Sequence, residues 1–245
     1  PASCLALIQS TSKPLDQICG WPDFTTSVSA SVSFSTLSSA ERKHSTSSTP
    51  SLVKSLIAAF GSFEALARSA IGHLTLIDAD DICVSNTNRQ LPAHAGQFGR
   101  AKVDAMAERC RAINPHLDVV PVASFLTAAN QVELLDQGFD LVIDACDSFR
   151  SKVELIAWCR RRKLPVIVVG AAGGRTDPTL VRVRDLSRTE HDAMLALIRK
   201  KLRAEFNFPK NRDRYFGVSA IYSLENVRYP QADGTVCGLR PQLGQ

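Results

Sequence analysis

The sequence has no CxxC pair. Its seven cysteines, Cys4, Cys19, Cys83, Cys110, Cys146, Cys159 and Cys237, are scattered through 245 residues. That spacing argues against a structural zinc site and fits the reduced thiols of a cytoplasmic protein. No apolar run approaches the ~20 residues a membrane-spanning helix needs, so no membrane partner is expected. No basic stretch leads into an apolar run near the first residue, which leaves a secretory leader unsupported. A chain that opens on Pro1 rather than Met reads as a fragment. Acidic excess is missing too: 29 Lys and Arg outnumber 24 Asp and Glu, for a formal charge of +5. Glycine is scarce early on, with Gly61 alone between Gly20 and Gly72.

What is present is ordinary for a globular protein: 44% hydrophobic and 22% charged residues. Residues 1–50 stand apart. From Thr25 to Pro50 they are dominated by Ser and Thr, with too little apolar surface to offset the entropy of ordering. This part is expected to be disordered or irregular, and residues 51–245 to form the folded domain. Leu52, Leu56, Phe60 and Phe63 fall at helical spacing. Downstream, strands expected over 74–78, 117–122, 140–144, 166–169 and 179–183 alternate with helices over 99–114, 129–137, 148–163 and 191–206. Residues 208–245 read as irregular, with one extended segment over 218–222. Such alternation implies βαβ units and an α/β fold, a doubly wound, mostly parallel sheet covered on both faces. Ligands of such sheets bind beyond the carboxyl ends of the strands.

Several polar residues fall at those ends. Asp78 closes an apolar strand and fits either an acid that accepts hydrogen bonds from ribose hydroxyls or a turn cap. Arg89, in Asn86-Thr87-Asn88-Arg89-Gln90, offers a bidentate grip on phosphate, with Asn86 as a neutral donor beside it; a plain surface arginine is the alternative. Lys102 sits in the first turn of a helix, where a cation is unfavourable unless an anion binds there; a tolerated exposed lysine is the alternative. Asp147 follows the strand over 140–144 and suits magnesium beside a triphosphate, with Asp144 as its supporting or capping neighbour. Three basic runs, Arg160 to Lys163, Arg199 to Arg203 and Lys210 to Arg214, fit either solvated helix faces or a nucleic-acid surface.

As an ordered set, these residues resemble the ThiF/MoeB/ubiquitin-activating superfamily of adenylating enzymes. The runs GHLTLIDADDICVSNTNRQLPA, GRAKVDAMAERCRAINP, DLVIDACDSFRSKVELIAWCRR, GAAGGRTDPT and IYSLENVRYPQADGTVCGLR are similar to the branch that cyclises threonylcarbamoyladenosine in tRNA. The resemblance implies a Rossmann-like fold, a homodimer, and ATP and Mg2+ as cofactors. It implies that Asp78 holds the ribose, that Arg89 and Lys102 bind and polarise the phosphates, that Asp147 coordinates magnesium, and that Gly61 is the remnant of a phosphate loop. It implies tRNA as substrate, with basic clusters around Arg160 and Lys200 meeting its backbone. Cys237 matches a branch cysteine, either a relay point for a sulfur-transfer partner or a buried structural thiol.

One departure is marked. The superfamily places a strand and a GxGGVGS loop before the helix that holds EALARSAIG. Here only Gly61-Ser62 precedes it, and Ser55 to Phe60 cannot make the close backbone approach that glycines permit. The expectation is a sheet without its central first strand, produced by a shifted reading frame upstream of about residue 61 or by degeneration of a paralogue. Three activities fit: the tRNA dehydratase, a non-catalytic relative that keeps a tRNA or dimer surface, and adenylation of a sulfur-carrier protein. A nicotinamide dehydrogenase explains neither Arg89 nor Lys102.

Overall fold

The computed structural model describes residues 5–9, 59–69, 71–230 and 236–237. The expectations for Thr25 to Pro50, for the helix start at Leu52 and Leu56, and for Cys4 and Cys19 lie outside the described residues.

Seven strands form one sheet. They are β1 (Leu5–Gln9), β2 (His73–Ile77), β3 (Asp118–Val122), β4 (Leu141–Asp144), β5 (Val166–Val169), β6 (Val181–Asp185) and β7 (Ser219–Ser223), in the order β3-β2-β1-β4-β5-β7-β6. Five of them run the same way; β1 and the edge strand β6 run against them. The helices are α1 (Ala59–Ala67), α2 (Lys102–Ile113), α3 (Gln131–Leu135), α4 (Phe149–Arg162) and α5 (Ala193–Glu205). A small ribbon, β8 (Tyr229–Pro230) and β9 (Val236–Cys237), closes the described chain. The expected α/β sheet covered on both faces is therefore present.

The central position corrects the sequence-based expectation twice. The slot beside β2 and β4 is filled, and it is filled from within residues 1–50. Leu5-Ala6-Leu7-Ile8 is the kind of short continuous apolar run that a doubly covered strand requires. Leu5 and Leu7 enter the core beneath α4 and α5; Ala6 and Ile8 enter the other, beneath α1 and α2. Burying three large aliphatic side chains contributes about 1.5–3 kcal/mol each. The strand is reversed, however. It pairs antiparallel with β2 (Leu5 opposite Ile77, Gln9 opposite His73) and with β4 (Leu5 opposite Asp144). The chain therefore leaves β1 at the edge away from the carboxyl ends, where Gln9 donates to the carbonyls of Gln137 (2.7 Å) and Gly138 (3.1 Å). Gln9, the last residue of β1, therefore stands at the edge of the sheet opposite Asp78.

The helices follow from their patterns. α2 buries Val103, Met106, Ala107 and Cys110, the face its sequence spacing marks. α4 starts at Ser148, whose Oγ accepts from Ser151 N, and ends with Lys163 in the left-handed region after Arg160, Arg161 and Arg162, cations placed where the helix dipole favours them. α5 is capped by Asp192, which accepts from Leu195 N at 2.8 Å. The segment expected to be merely extended, 218–222, is β7, a full member of the sheet between β5 and β6.

Candidate functional site at the carboxyl edge of the sheet

Asp78 follows β2 and is 1% exposed. Its N–H donates to Val122 O at 3.2 Å, and its Oδ1 accepts from Asp80 N at 2.8 Å. The carboxylate thus shapes the turn that carries the chain off the sheet, and one of the two sequence alternatives, the turn cap, is realised. That turn delivers Asp80 to the start of α2. Lys102, the first residue of α2, is only 3% exposed; its Nζ lies 2.9 Å from Asp80 Oδ2, and its N–H donates to Asp80 O at 3.0 Å. No side chain caps this helix, whose N-cap is Ala101. The helix start at the carboxyl edge therefore holds a buried Lys102–Asp80 ion pair beside backbone amides that no side chain caps.

The connection from β2 to α2 is fixed by Ile82 N donating to Arg100 O and Gly99 N to Ile82 O, each at 2.9 Å. On it, Asn86 is buried and its Oδ1 accepts from Cys83 N at 3.1 Å, holding the short helical turn Val84–Asn86. Arg89 is exposed; Nη1 donates to Ser85 O (3.0 Å) and Asn88 Oδ1 (2.8 Å). Asn86 is therefore a structural clamp for the turn that presents Arg89. Gly61 lies in the first turn of α1, so it is a helical residue and not part of a loop.

Across β1 from Asp78, β4 ends in Asp144. Asp144 and Lys152 are both fully buried, with Nζ 2.9 Å from Oδ1 and 3.1 Å from Asp144 O. Oδ1 also accepts from Cys146 N at 3.0 Å. Sequence reasoning missed Lys152; the available signal was its place eight residues after a strand-end acid, on the inward face of α4. This pair sets the turn that projects Asp147, which is exposed, just before the Ser148 cap. Among the described residues no three His, Cys, Asp or Glu side chains gather as a metal cluster. Asp144 is committed to Lys152, so Asp147 is the carboxylate open to a metal at this strand end.

A cavity of about 250 Å³ lies at the carboxyl ends of β5 and β7, bordered by Gly170, Ala171, Thr176 and Ser223. Its wall is prearranged. Asp192 Oδ2 accepts from Ala171 N at 2.8 Å and lies 3.3 Å from the buried Arg175, which also donates to Ala171 O and to His191 O. Glu225 accepts from the amides of Thr176 and Asp177, each at 2.8 Å, and these bonds hold its carboxyl below the usual range. A side chain at Gly170 would collide with Asp192. Sequence reasoning missed the Arg175–Asp192 pair and Glu225, which fasten the segment from Gly170 to Asp177.

Burial pushes the Cys110 thiol to about 11 and Cys159 to about 12, and burial followed by the charge of Asp144 raises Cys146 well above its ordinary value. Cys83 is exposed. At pH 8 a maleimide should therefore label Cys83 and spare Cys110, Cys146 and Cys159 in the folded chain. Peptide-resolved mass spectrometry reads this, and rapid native labelling of Cys110 would contradict it. Cys237 lies in β9, with its side chain outside the described residues.

A largely co-directional sheet, covered on both faces, with acids and a buried lysine at its carboxyl edge, defines a Rossmann-like α/β protein. The chain belongs to the ThiF family, whose pattern matches residues 61–210; β1 lies outside that match. It is 49% identical over 168 residues to a tRNA threonylcarbamoyladenosine dehydratase of Haemophilus influenzae, covering 69% of this chain and 64% of that protein. It is 48% identical over 177 residues to the Escherichia coli protein of the same name, covering 72% and 66%. The crystal structure of that E. coli dehydratase, TcdA, in complex with ATP superposes with a TM-score of 0.67 at 46% identity, over 69% of this chain and 71% of the other. The chain thus spans a little under two-thirds of the length of these two relatives.

Proposed function

We propose that this chain is an ATP-dependent enzyme that dehydrates threonylcarbamoyladenosine in tRNA. A carboxylate oxygen of the threonyl group attacks the α-phosphorus, the bond to the β-phosphate bridge breaks and pyrophosphate leaves. The ureido group then attacks the acyl carbon, its proton is lost, the ring closes, and AMP departs with the former carboxylate oxygen. Such chemistry rests on positioning and charge neutralisation. The observation that carries the proposal is the buried Lys102 ammonium, fixed at 2.9 Å from Asp80 at the start of α2. Asp78 is the ribose acceptor and Arg89 the outer phosphate ligand, presented by the turn that Asn86 clamps. A magnesium ion held by Asp147 and the phosphates would neutralise charge on the leaving group, in keeping with its habit of binding through one carboxylate plus substrate.

The finer assignments follow the same reading: one adenylating domain that joins residues 5–9 to 59–230, a homodimer in the cytoplasm, and a sulfur-transfer partner facing Cys237. A second reading has a specific observation behind it. The reversed β1 lies upstream of the family match, which favours a catalytically impaired relative that only binds tRNA or dimerises. Adenylation of a sulfur carrier has no such support. The deciding assay is AMP release with threonylcarbamoyl-modified tRNA. The enzyme reading expects turnover, reduced about 100- to 1,000-fold in Lys102→Ala, with the thermal midpoint monitored alongside. ATP and tRNA binding without AMP release would leave the impaired relative. AMP release undiminished in Lys102→Ala would remove Lys102 from the site.

A further inference from the structure

A second concentration of charge lies far from the strand ends discussed so far. A cavity of about 1180 Å³ opens where β6 ends and β7 begins, bordered by Arg184, Arg188, Arg199, Arg203 and Arg212. Asp185 pairs with Ser219, and Ser219 with Ile167. This cleft therefore sits at the amino ends of β5 and β7, on the edge of the sheet opposite Asp78 and Asp144. It collects residues from separate basic runs: Arg199 and Arg203 from α5, Arg212 from the segment after it, and Arg184 and Arg188 from β6 and the turn that follows. Arg160, at the end of α4, reaches Gly217, one of the residues that border the cleft. Its guanidinium packs on Gly217, where a Cβ would come within 3.0 Å of Nη2 and where φ is +67°.

Two carboxylates, Asp185 and Glu190, border the cleft against five arginines and offset only part of their charge. Asp185 is spent on backbone, accepting from Ser187 (2.9 Å), Phe216 (2.9 Å), Gly217 (2.7 Å) and Val218 (3.1 Å). Among the described residues, only Arg184 of the five lining arginines has an acid within 4 Å, Glu190 at 3.3 Å. Three of the others are held in place by neutral groups. Arg199 donates to Thr189 Oγ1, Arg188 to Asp213 O (3.1 Å) and Arg203 to Pro209 O (3.2 Å). Arg203 also stacks on Phe216, and Arg188 stacks 5.2 Å from the centre of the exposed Tyr215 ring. Arg199 is half-buried beside Arg203, and its charged form is disfavoured first by burial and then by that neighbour. Like charges held in one cleft by neutral partners are unfavourable until an anion enters.

We infer that this arginine cleft docks the phosphodiester backbone of a structured RNA, at the edge of the sheet remote from the nucleotide. Guanidinium groups presented along a groove match phosphate oxygens spaced along a strand, and Tyr215 offers an aromatic face at the rim. The identity of the RNA as tRNA rests on the function proposed above; the cleft itself does not.

The test is equilibrium binding of a fluorescent, unmodified tRNA transcript to the full chain across a salt series, with ATP binding measured separately. In the triple variant Arg184→Gln, Arg188→Gln, Arg212→Gln, affinity should fall about 10- to 100-fold and the slope of log K against log salt should drop by about 2–3. ATP affinity should stay unchanged. The corresponding triple Lys variant should keep most of the salt slope. Equal RNA binding and slope in wild type and the Gln variant would overturn the cleft while leaving the dehydratase reading in place. ATP binding with no RNA binding by the wild-type chain would overturn both. Loss of self-association in sedimentation velocity, with RNA binding unaltered, would make the cleft a contact between copies of this chain and overturn the RNA assignment.

Discussion

Replacing Lys152 with Met is expected to lower stability by about 3–5 kcal/mol, because it leaves the Asp144 carboxylate charged, fully buried and without its counter-ion. For a chain of this size each kcal/mol shifts the thermal midpoint by roughly 2–4 °C, so the loss should appear as a fall of about 6–20 °C. The lysine makes two contacts at the same strand end, to Asp144 Oδ1 and Asp144 O, so the end of β4 and the turn leading to Asp147 should both loosen. The double variant Lys152→Met, Asp144→Leu should recover much of the stability, since an apolar pair of similar volume often replaces a buried ion pair without loss. It should not recover AMP release, because the turn that presents Asp147 is shaped by Asp144 accepting from Cys146 N. Calorimetry on the three proteins reads the first part and the AMP assay the second. A Lys152→Met protein that melts with the wild type would mean that the pair is not formed in solution.

The second large effect concerns β1. A chain that starts at residue 51 should fail to form a cooperatively melting domain. Removing Leu5 to Gln9 uncovers one hydrogen-bonding edge on β2 and one on β4 in the middle of the sheet, and opens a gap in both cores at once. Leu7→Asp should do the same by placing a carboxylate between Thr75 and Val142 at a fully buried position. Leu7→Ala should fold with a loss of about 2–5 kcal/mol. Far-UV circular dichroism with thermal melts measures all three. A sharp, wild-type-like melt of the chain from residue 51 would show that β1 is dispensable, and with it the central pairing described here.

Much of the remaining architecture could be read from periodicity. The buried face of α2, the extents of α4 and α5, and the positions of β2 to β5 follow from apolar spacing and caps, because those elements bury one continuous face and are bounded by Ser148, Asp192 or Pro115. β1 escaped because five residues carry too little pattern to stand out beside a Ser/Thr-rich stretch, although Leu5 to Ile8 had the composition of a doubly covered strand. Its reversed direction is a pairing property with no local signature. The strand-end positions of Asp78 and Asp144 were legible; the burial of Lys102 against Asp80 was not. Lys152, Arg175 and Glu225 were not, since a buried charge looks the same in sequence as a solvated one until its partner, eight to fifty residues away, is placed beside it. The basic runs were legible singly; that Arg160, Arg199 and Arg212 meet at one edge is decided by the sheet.

The reversed central strand also bears on how the chain reaches its folded state. β4 and β5 pair across residues 145–165 and β2 and β3 across residues 78–117, whereas β1 must find partners as far along the chain as His73 to Ile77 on one side and Leu141 to Asp144 on the other. Closing such distant pairings costs loop entropy before any contact is gained, and they dominate the barrier in slow-folding topologies. Insertion of Leu5 to Gln9 is thus expected to come late. A chain that has not yet made it would leave inner edges of β2 and β4 open, the condition that favours aggregation and exchange of the first strand with another copy.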